Sequence, residues 1–235
     1  MWADAVLVAG KDLRIEWRSR VLTNQVVPFA VLVLMLFAFA LDPARAEILR
    51  TATPGLYWVA VIFSAVLAAQ RSASIEMSDG GSDALRLSGL DPAGVFIGKT
   101  AALAVQLAAL EVVLMAGVVL LYHLDLRSSG LVVILVTCVA TTVGLAAAST
   151  LYGALAAGQR VRDTLLPLLV LPVVAPLLIS STRAFEYALG SAVPEDKVNT
   201  VNPADGWPWI GMLTVFALVY VAAGLLAYGP LQEEA

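Results

Sequence analysis

The chain has 235 residues, 60% of them hydrophobic and only 14% charged, with a formal net charge of −4. A soluble domain of this size carries roughly a quarter of its residues as charges, so a water-soluble globule is excluded, and no basic cluster suggests nucleic acid. With one histidine and one cysteine the chain cannot build an intramolecular disulfide, a zinc site of four Cys and His ligands, or bis-histidine haem ligation.

Residues 1–20 mix apolar and charged positions at helical spacings, with Leu7, Leu13 and Trp17 beside Lys11, Arg14 and Arg18. The pattern predicts an amphipathic helix in the membrane interface, basic side chains towards the headgroups and Trp2 and Trp17 as anchors. A signal peptide would also pair basic residues with an apolar run, and Ala44-Arg45-Ala46 resembles a cleavage site. The long charged region and the further apolar spans favour an uncleaved first helix.

The first span is expected at 21–41, with Pro28 in its opening turns, where a missing N–H costs least. The second is expected at 54–69, opened by Pro54-Gly55, with Tyr57 and Trp58 near the interface. The third covers 94–122 and is long enough to tilt; the fourth covers 131–157. The fifth, 165–181, carries Pro167, Pro172 and Pro176. Lipid cannot satisfy the carbonyls those prolines release, so this helix belongs inside the bundle. A polar loop is expected at 182–208 and the sixth span at 209–228, before a tail at 230–235. The fold class is therefore an all-α polytopic membrane protein: a six-helix permease domain at 21–229 behind an amphipathic helix at 1–20.

Six spans place both termini on one side of the membrane. With the N-terminus inside, Lys11, Arg14, Arg18, Arg20, Arg71, Arg86, Lys99, Arg160 and Arg162 are internal. Arg45, Arg50, Arg127, Arg183 and Lys197 are then external. The excess of basic residues inside predicts cytoplasmic termini.

The polar stretch 70–92 holds Arg71, Glu76, Asp79, Gly80, Asp83, Arg86 and Pro92, with Leu85 and Leu87 among the charges. It is too polar to span a bilayer. Gly80-Gly81 permits a sharp turn, and a short helix carrying Leu85 and Leu87 suits a groove on a soluble partner. An ordinary solvated loop is the plain alternative. Within the third span, Glu111 costs ~2.5–3.5 kcal/mol or more unless paired or hydrated, which points to an interhelical or cavity-lining contact, or to a locally bonded structural residue. Cys138 reads as a small core group facing a neighbouring helix. His123 reads as an interfacial histidine, with axial ligation of a partner's haem as the sharper alternative. Arg183 and Glu186 read as a surface pair worth little.

Three stretches carry a family resemblance. Pro54-Gly55-Leu56-Tyr57-Trp58-Val59-Ala60, the segment from Arg71 to Lys99 with Asp79-Gly80, and Leu171-Pro172-Val173-Val174-Ala175-Pro176-Leu177-Leu178-Ile179 are similar to the haem exporter protein B (CcmB) family. That family lies within the ABC-2-type permeases. Gly89 stands where it usually has the first of several prolines, and 182–208 and the acidic C-terminus do not match it.

The resemblance implies a membrane half-transporter of the bacterial cytoplasmic membrane, acting in cytochrome c maturation. Its implied partners are two copies of an ABC ATPase subunit, a second copy of this chain, a haem-handling membrane protein and a small single-span subunit. ATP hydrolysis would drive haem export or release of a haem-loaded chaperone, with haem as cargo and no cofactor bound by this chain. The ATPase-docking positions it implies are Arg71, Glu76, Asp79, Gly80, Leu85 and Leu87. A permease for lipid, drug or polysaccharide, and a non-conducting scaffold coupling an ATPase to an assembly partner, remain the alternatives. The chain has no Gly-x4-Gly-Lys-Ser/Thr phosphate loop and is not expected to be an enzyme.

Overall fold

The computed structural model describes residues 1–20, 22–41, 46–78, 89–122, 124, 126–157, 162–191 and 200–234. Among the described residues seven α-helices follow one another: α1 Trp2–Ser19, α2 Val27–Ala40, α3 Ala46–Ser78, α4 Pro92–Tyr122, α5 Leu131–Ala157, α6 Arg162–Leu189 and α7 Trp207–Glu234. Five helical stretches among the described residues are long and apolar enough to cross a membrane: Leu22–Ala40, Glu47–Gln70, Pro92–Tyr122, Ser128–Leu155 and Pro203–Leu231.

The N-terminal pattern folds as expected into a helix, α1, which ends at Arg20 in the left-handed region (φ 51°). Glu16 turns away from the helix surface, and its carboxylate accepts the Leu22 amide N–H at the start of the next segment. Partial burial pushes the Glu16 carboxyl up, and that amide bond partly counters the shift. A π-helical turn, Leu22–Val26, leads into α2, with Pro28 in its first turn. The α2 residues Ala30, Leu34 and Ala38 repeat every fourth position and are the buried stripe. Phe29, Leu32, Met35, Leu36 and Phe39 stay exposed, as on a helix that faces lipid.

Three boundaries differ clearly from the sequence expectation. α3 begins at Ala46, and Pro54 lies inside it rather than opening it. The preceding residues are helix formers, Leu49 and Thr53 are buried one turn apart, and Thr51 and Thr53 donate to the Glu47 and Leu49 carbonyls at 2.9 and 2.8 Å. At its other end α3 runs on to Ser78, so the first part of the 70–92 segment is helix, because no Gly or Pro interrupts it. Likewise α6 continues to Leu189, well into the loop expected from 182. Ser181, Ala184, Phe185 and Ala188 are buried there at helical spacing, and the stop is Gly190 with φ 65°.

Small residues set the helix spacing. On α5, Ala146, Ala147 and Ala148 are fully buried and Ser149 nearly so. A Cβ added at Gly144 would meet Leu177 of α6 at 2.5 Å and Ala217 of α7 at 3.4 Å. Gly224 of α7 takes the Phe96 ring of α4 against its backbone, and that ring lies 5.5 Å from Tyr228. At one end of the bundle Arg50 donates to the Gly190 carbonyl at 3.3 Å, and Arg127 donates from two nitrogens to the Val201 carbonyl, each at 3.3 Å.

α1 packs along the first turns of α4 through Ala5 and Val8. A Cβ at Gly98 would stand 2.6 Å from the Ala5 carbonyl oxygen and 2.8 Å from the Val8 Cβ, and one at Gly94 would stand 2.8 Å from the Met1 carbonyl oxygen. Both glycines therefore permit backbone contact between the two helices. Gly98→Val should lift α1 off α4 at a cost of roughly 1–3 kcal/mol, seen as faster proteolytic cleavage within residues 1–20 and a lower melting temperature in detergent. Unchanged cleavage and melting would mean that the α1–α4 contact does not form.

Candidate functional site

Inside the bundle lies a polar layer centred on Glu111 of α4. Tyr57, Glu111 and Thr142 each lie about eleven residues, roughly 16 Å at 1.5 Å per residue, from the same end of the bundle, where α3 starts at Ala46, α4 ends at Tyr122 and α5 starts at Leu131. Antiparallel neighbours joined by short connections therefore bring the three to one depth.

Glu111 is 4% exposed and Thr142 5%. The Thr142 hydroxyl donates to Glu111 Oε1 at 2.6 Å. Tyr57, 1% exposed, donates its hydroxyl to the Glu111 backbone carbonyl at 3.3 Å. Cys138 lies one helical turn before Thr142 on α5. It is half-buried and packs against the hydrophobic core.

An aromatic cluster forms one wall. Tyr57 and Trp58 of α3 and Phe185 of α6 have ring centroids 5.0–5.3 Å apart, with Trp58 edge-on to Phe185 and Tyr57 stacked on it. Such pairs add ~0.5–1.5 kcal/mol beyond burial. They hold α3 to α6 beside the carboxyl. Tyr57 and Trp58, expected near the interface, are thus core residues. The same interior holds polar atoms that the described residues leave unpartnered: the Trp58 indole N–H and the Ser64, Thr141 and Ser180 hydroxyls, all on fully buried residues. Each such group costs ~1–3 kcal/mol. One threonine bond at ~0.6–1.7 kcal/mol offsets only part of the cost of an intramembrane carboxyl.

Among the described residues no three His, Cys, Asp or Glu side chains converge. Of the other positions singled out in the sequence, Arg71 and Glu76 fall on the last turns of α3. Asp79, Gly80, Leu85, Leu87 and His123 lie outside the described residues. Arg183 and Glu186 pair at 2.7 Å with Arg183 55% exposed, a surface contact of small value. Thr142 and Tyr57 were not picked out as partners of Glu111. Thr142 and Glu111 stand eleven residues from the expected span ends at 131 and 122, but Tyr57 matches that depth only once α3 is seen to start at Ala46.

These helices, apolar enough to cross a membrane and packed round a buried polar layer, define a multi-pass α-helical membrane protein. The chain belongs to the CcmB protein family, whose family model matches residues 3–223. It is similar to heme exporter protein B of Pseudomonas aeruginosa, with 29% identity over 224 residues, 93% of this chain and 95% of that protein.

The Glu111–Thr142 contact should be measurable as a coupling. In thermal unfolding of Glu111→Leu, Thr142→Val and the double variant, the two changes should fall short of additivity by about 0.6–1.7 kcal/mol. Strict additivity would place the two side chains apart.

Proposed function

We propose that the chain is the membrane-spanning subunit of an ABC transporter in haem export for cytochrome c maturation. The observation that carries this reading is the near full-length correspondence with heme exporter protein B, 93% of one chain against 95% of the other, together with the family match over 3–223. In this reading α6 also crosses the membrane, as the fifth of six spans, α1 lies in the membrane interface and both termini face the cytoplasm of a bacterial inner membrane. Two copies of the chain pair with two ATPase subunits, a haem-handling membrane protein and a small single-span subunit. The chain itself hydrolyses nothing, since it has no phosphate loop.

The ATPase docks on the segment between α3 and α4. Leu85 and Leu87 insert into a groove of the ATPase, while Asp79, Asp83 and Arg86 fix orientation more than affinity. Hydrolysis there moves the N-terminal end of α4 and, through it, the helix that carries Glu111. The mechanical step ends in haem export or release of a haem-loaded chaperone. The polar layer supports this because its hydrogen bonds link α3, α4 and α5, so a shift of α4 must break or remake them.

Changing Leu85 and Leu87 together to Asp should abolish co-purification of a tagged ATPase while the chain still inserts into membrane. Survival of the complex would move the docking site elsewhere. A reporter active only in the periplasm should stay silent when fused to the C-terminus; a strong signal would overturn the six-span topology. Glu111→Gln should keep cytochrome c maturation near the wild-type level, whereas Glu111→Leu should reduce it several-fold. Equal yields from both variants and wild type would leave Glu111 a structural residue only.

A further inference from the structure

The C-terminal half of α1 carries two charges that the bundle does not use. Arg14 and Arg18 are exposed and make no ion pair among the described residues, because the acidic residues of the helix are engaged elsewhere. Asp12 pairs with Lys11 at 3.1 Å, Glu16 accepts the Leu22 amide, and Asp4 lies at the far end of the helix. The two guanidinium groups stand one turn apart, about 6 Å along the axis, on the same face. Between them Trp17 is 84% exposed, the most exposed large hydrophobic side chain among the described residues. Leu13, Arg14, Trp17 and Arg18 line a groove of about 490 Å³.

We propose that this groove binds the phosphodiester headgroup of an anionic phospholipid. Arg14 and Arg18 bracket the phosphate, a geometry guanidinium donors suit. Trp17 sits at the glycerol level, as an amphipathic ring does at an interface, and Leu13 meets the start of an acyl chain. The helix C-terminus opposes an anion by about half a charge. Two full positive charges outweigh it, and the Glu16 carbonyl already accepts the Arg20 N–H at 2.7 Å. An acidic protein surface offers carboxylates but no apolar chain for Trp17 and Leu13 to meet, and the chain is embedded in lipid. The site rests on the interfacial placement of α1 proposed above, and it adds a lipid requirement that the placement alone does not contain.

The test uses the full chain purified with phosphatidylglycerol, and native mass spectrometry of the lipid it retains. Wild type and Lys11→Gln should keep the lipid. Arg14→Gln with Arg18→Gln should weaken binding roughly 30-fold, about 1 kcal/mol for each charge near the surface. Both arginines are exposed, so the double variant keeps the fold, checked by an unchanged melting temperature in detergent. Equal retention by the double variant would overturn the site. So would displacement of the lipid from wild type by millimolar inorganic phosphate, which would make the groove a free-phosphate site. Loss of the ATPase but not of lipid in the double variant would make it a protein contact instead. A spin label on Ser19→Cys, with Cys138→Ala, separates the two readings. A label in bulk water defeats the interfacial placement itself. A label at headgroup depth with no effect of the arginines defeats only the lipid site.

Discussion

Close approach of backbones along α5 is the constraint on which the rest of the bundle depends. Lipid tails are as apolar as leucine, so helices in a membrane gain little from hiding apolar surface from each other. Dispersion contacts and hydrogen bonds must do more, and both need short distances. The run Gly144 to Ser149 supplies them: its small side chains let α6 and α7 reach α5, and α3 and α4 pack on the same helix. A leucine in place of Gly144 would push out Leu177 and Ala217 together, and with them the alignment that brings Thr142 to Glu111.

The polar layer is best understood as a tension within that tight packing. Each side chain there departs from the apolar rule for a membrane interior, and the fold compensates only some of them. Glu111 receives Thr142, Tyr57 finds a carbonyl, and Thr137 and Ser181 bond back to carbonyls in the preceding turn, at 2.6 and 2.7 Å. Trp58, Ser64, Thr141 and Ser180 do not gain such partners among the described residues. A bundle selected for stability alone would have filled these positions with alanine, valine and phenylalanine. Among the described residues these four groups are polar atoms the interior leaves uncompensated, spread over more than one depth of the bundle.

Much of this was legible in the sequence, for reasons that differ by element. Long apolar runs marked the spans, and α5 begins at Leu131 as expected, directly after Gly130. The amphipathic spacing of residues 1–20 predicted α1, but not its seat on α4, since Gly94 and Gly98 signal a close contact only once the partner is known. Proline misled at Pro54. A proline inside an otherwise strong helix former reads as a start, yet neighbouring helices and threonine hydroxyls allow it to sit in the interior. Glu111 stood out by its cost. Its partners did not, because threonine in a span commonly bonds within its own helix and Tyr57 stood near the expected start of its span. The docking positions Asp79 to Leu87 lie outside the described residues, so they rest on the family resemblance.

The seat of α1 on α4 also orders events in time. Ala5 and Val8 leave the ribosome long before Gly94 and Gly98, with about 90 residues of chain and two membrane spans between them. At 5–20 residues per second that interval lasts roughly 5–20 s. Throughout it Gly94 and Gly98 are not yet there to receive Ala5 and Val8. The contact that buries Ala5 and Val8 is therefore completed only when α4 arrives, so the helix made first is among the last to find its seat in the bundle.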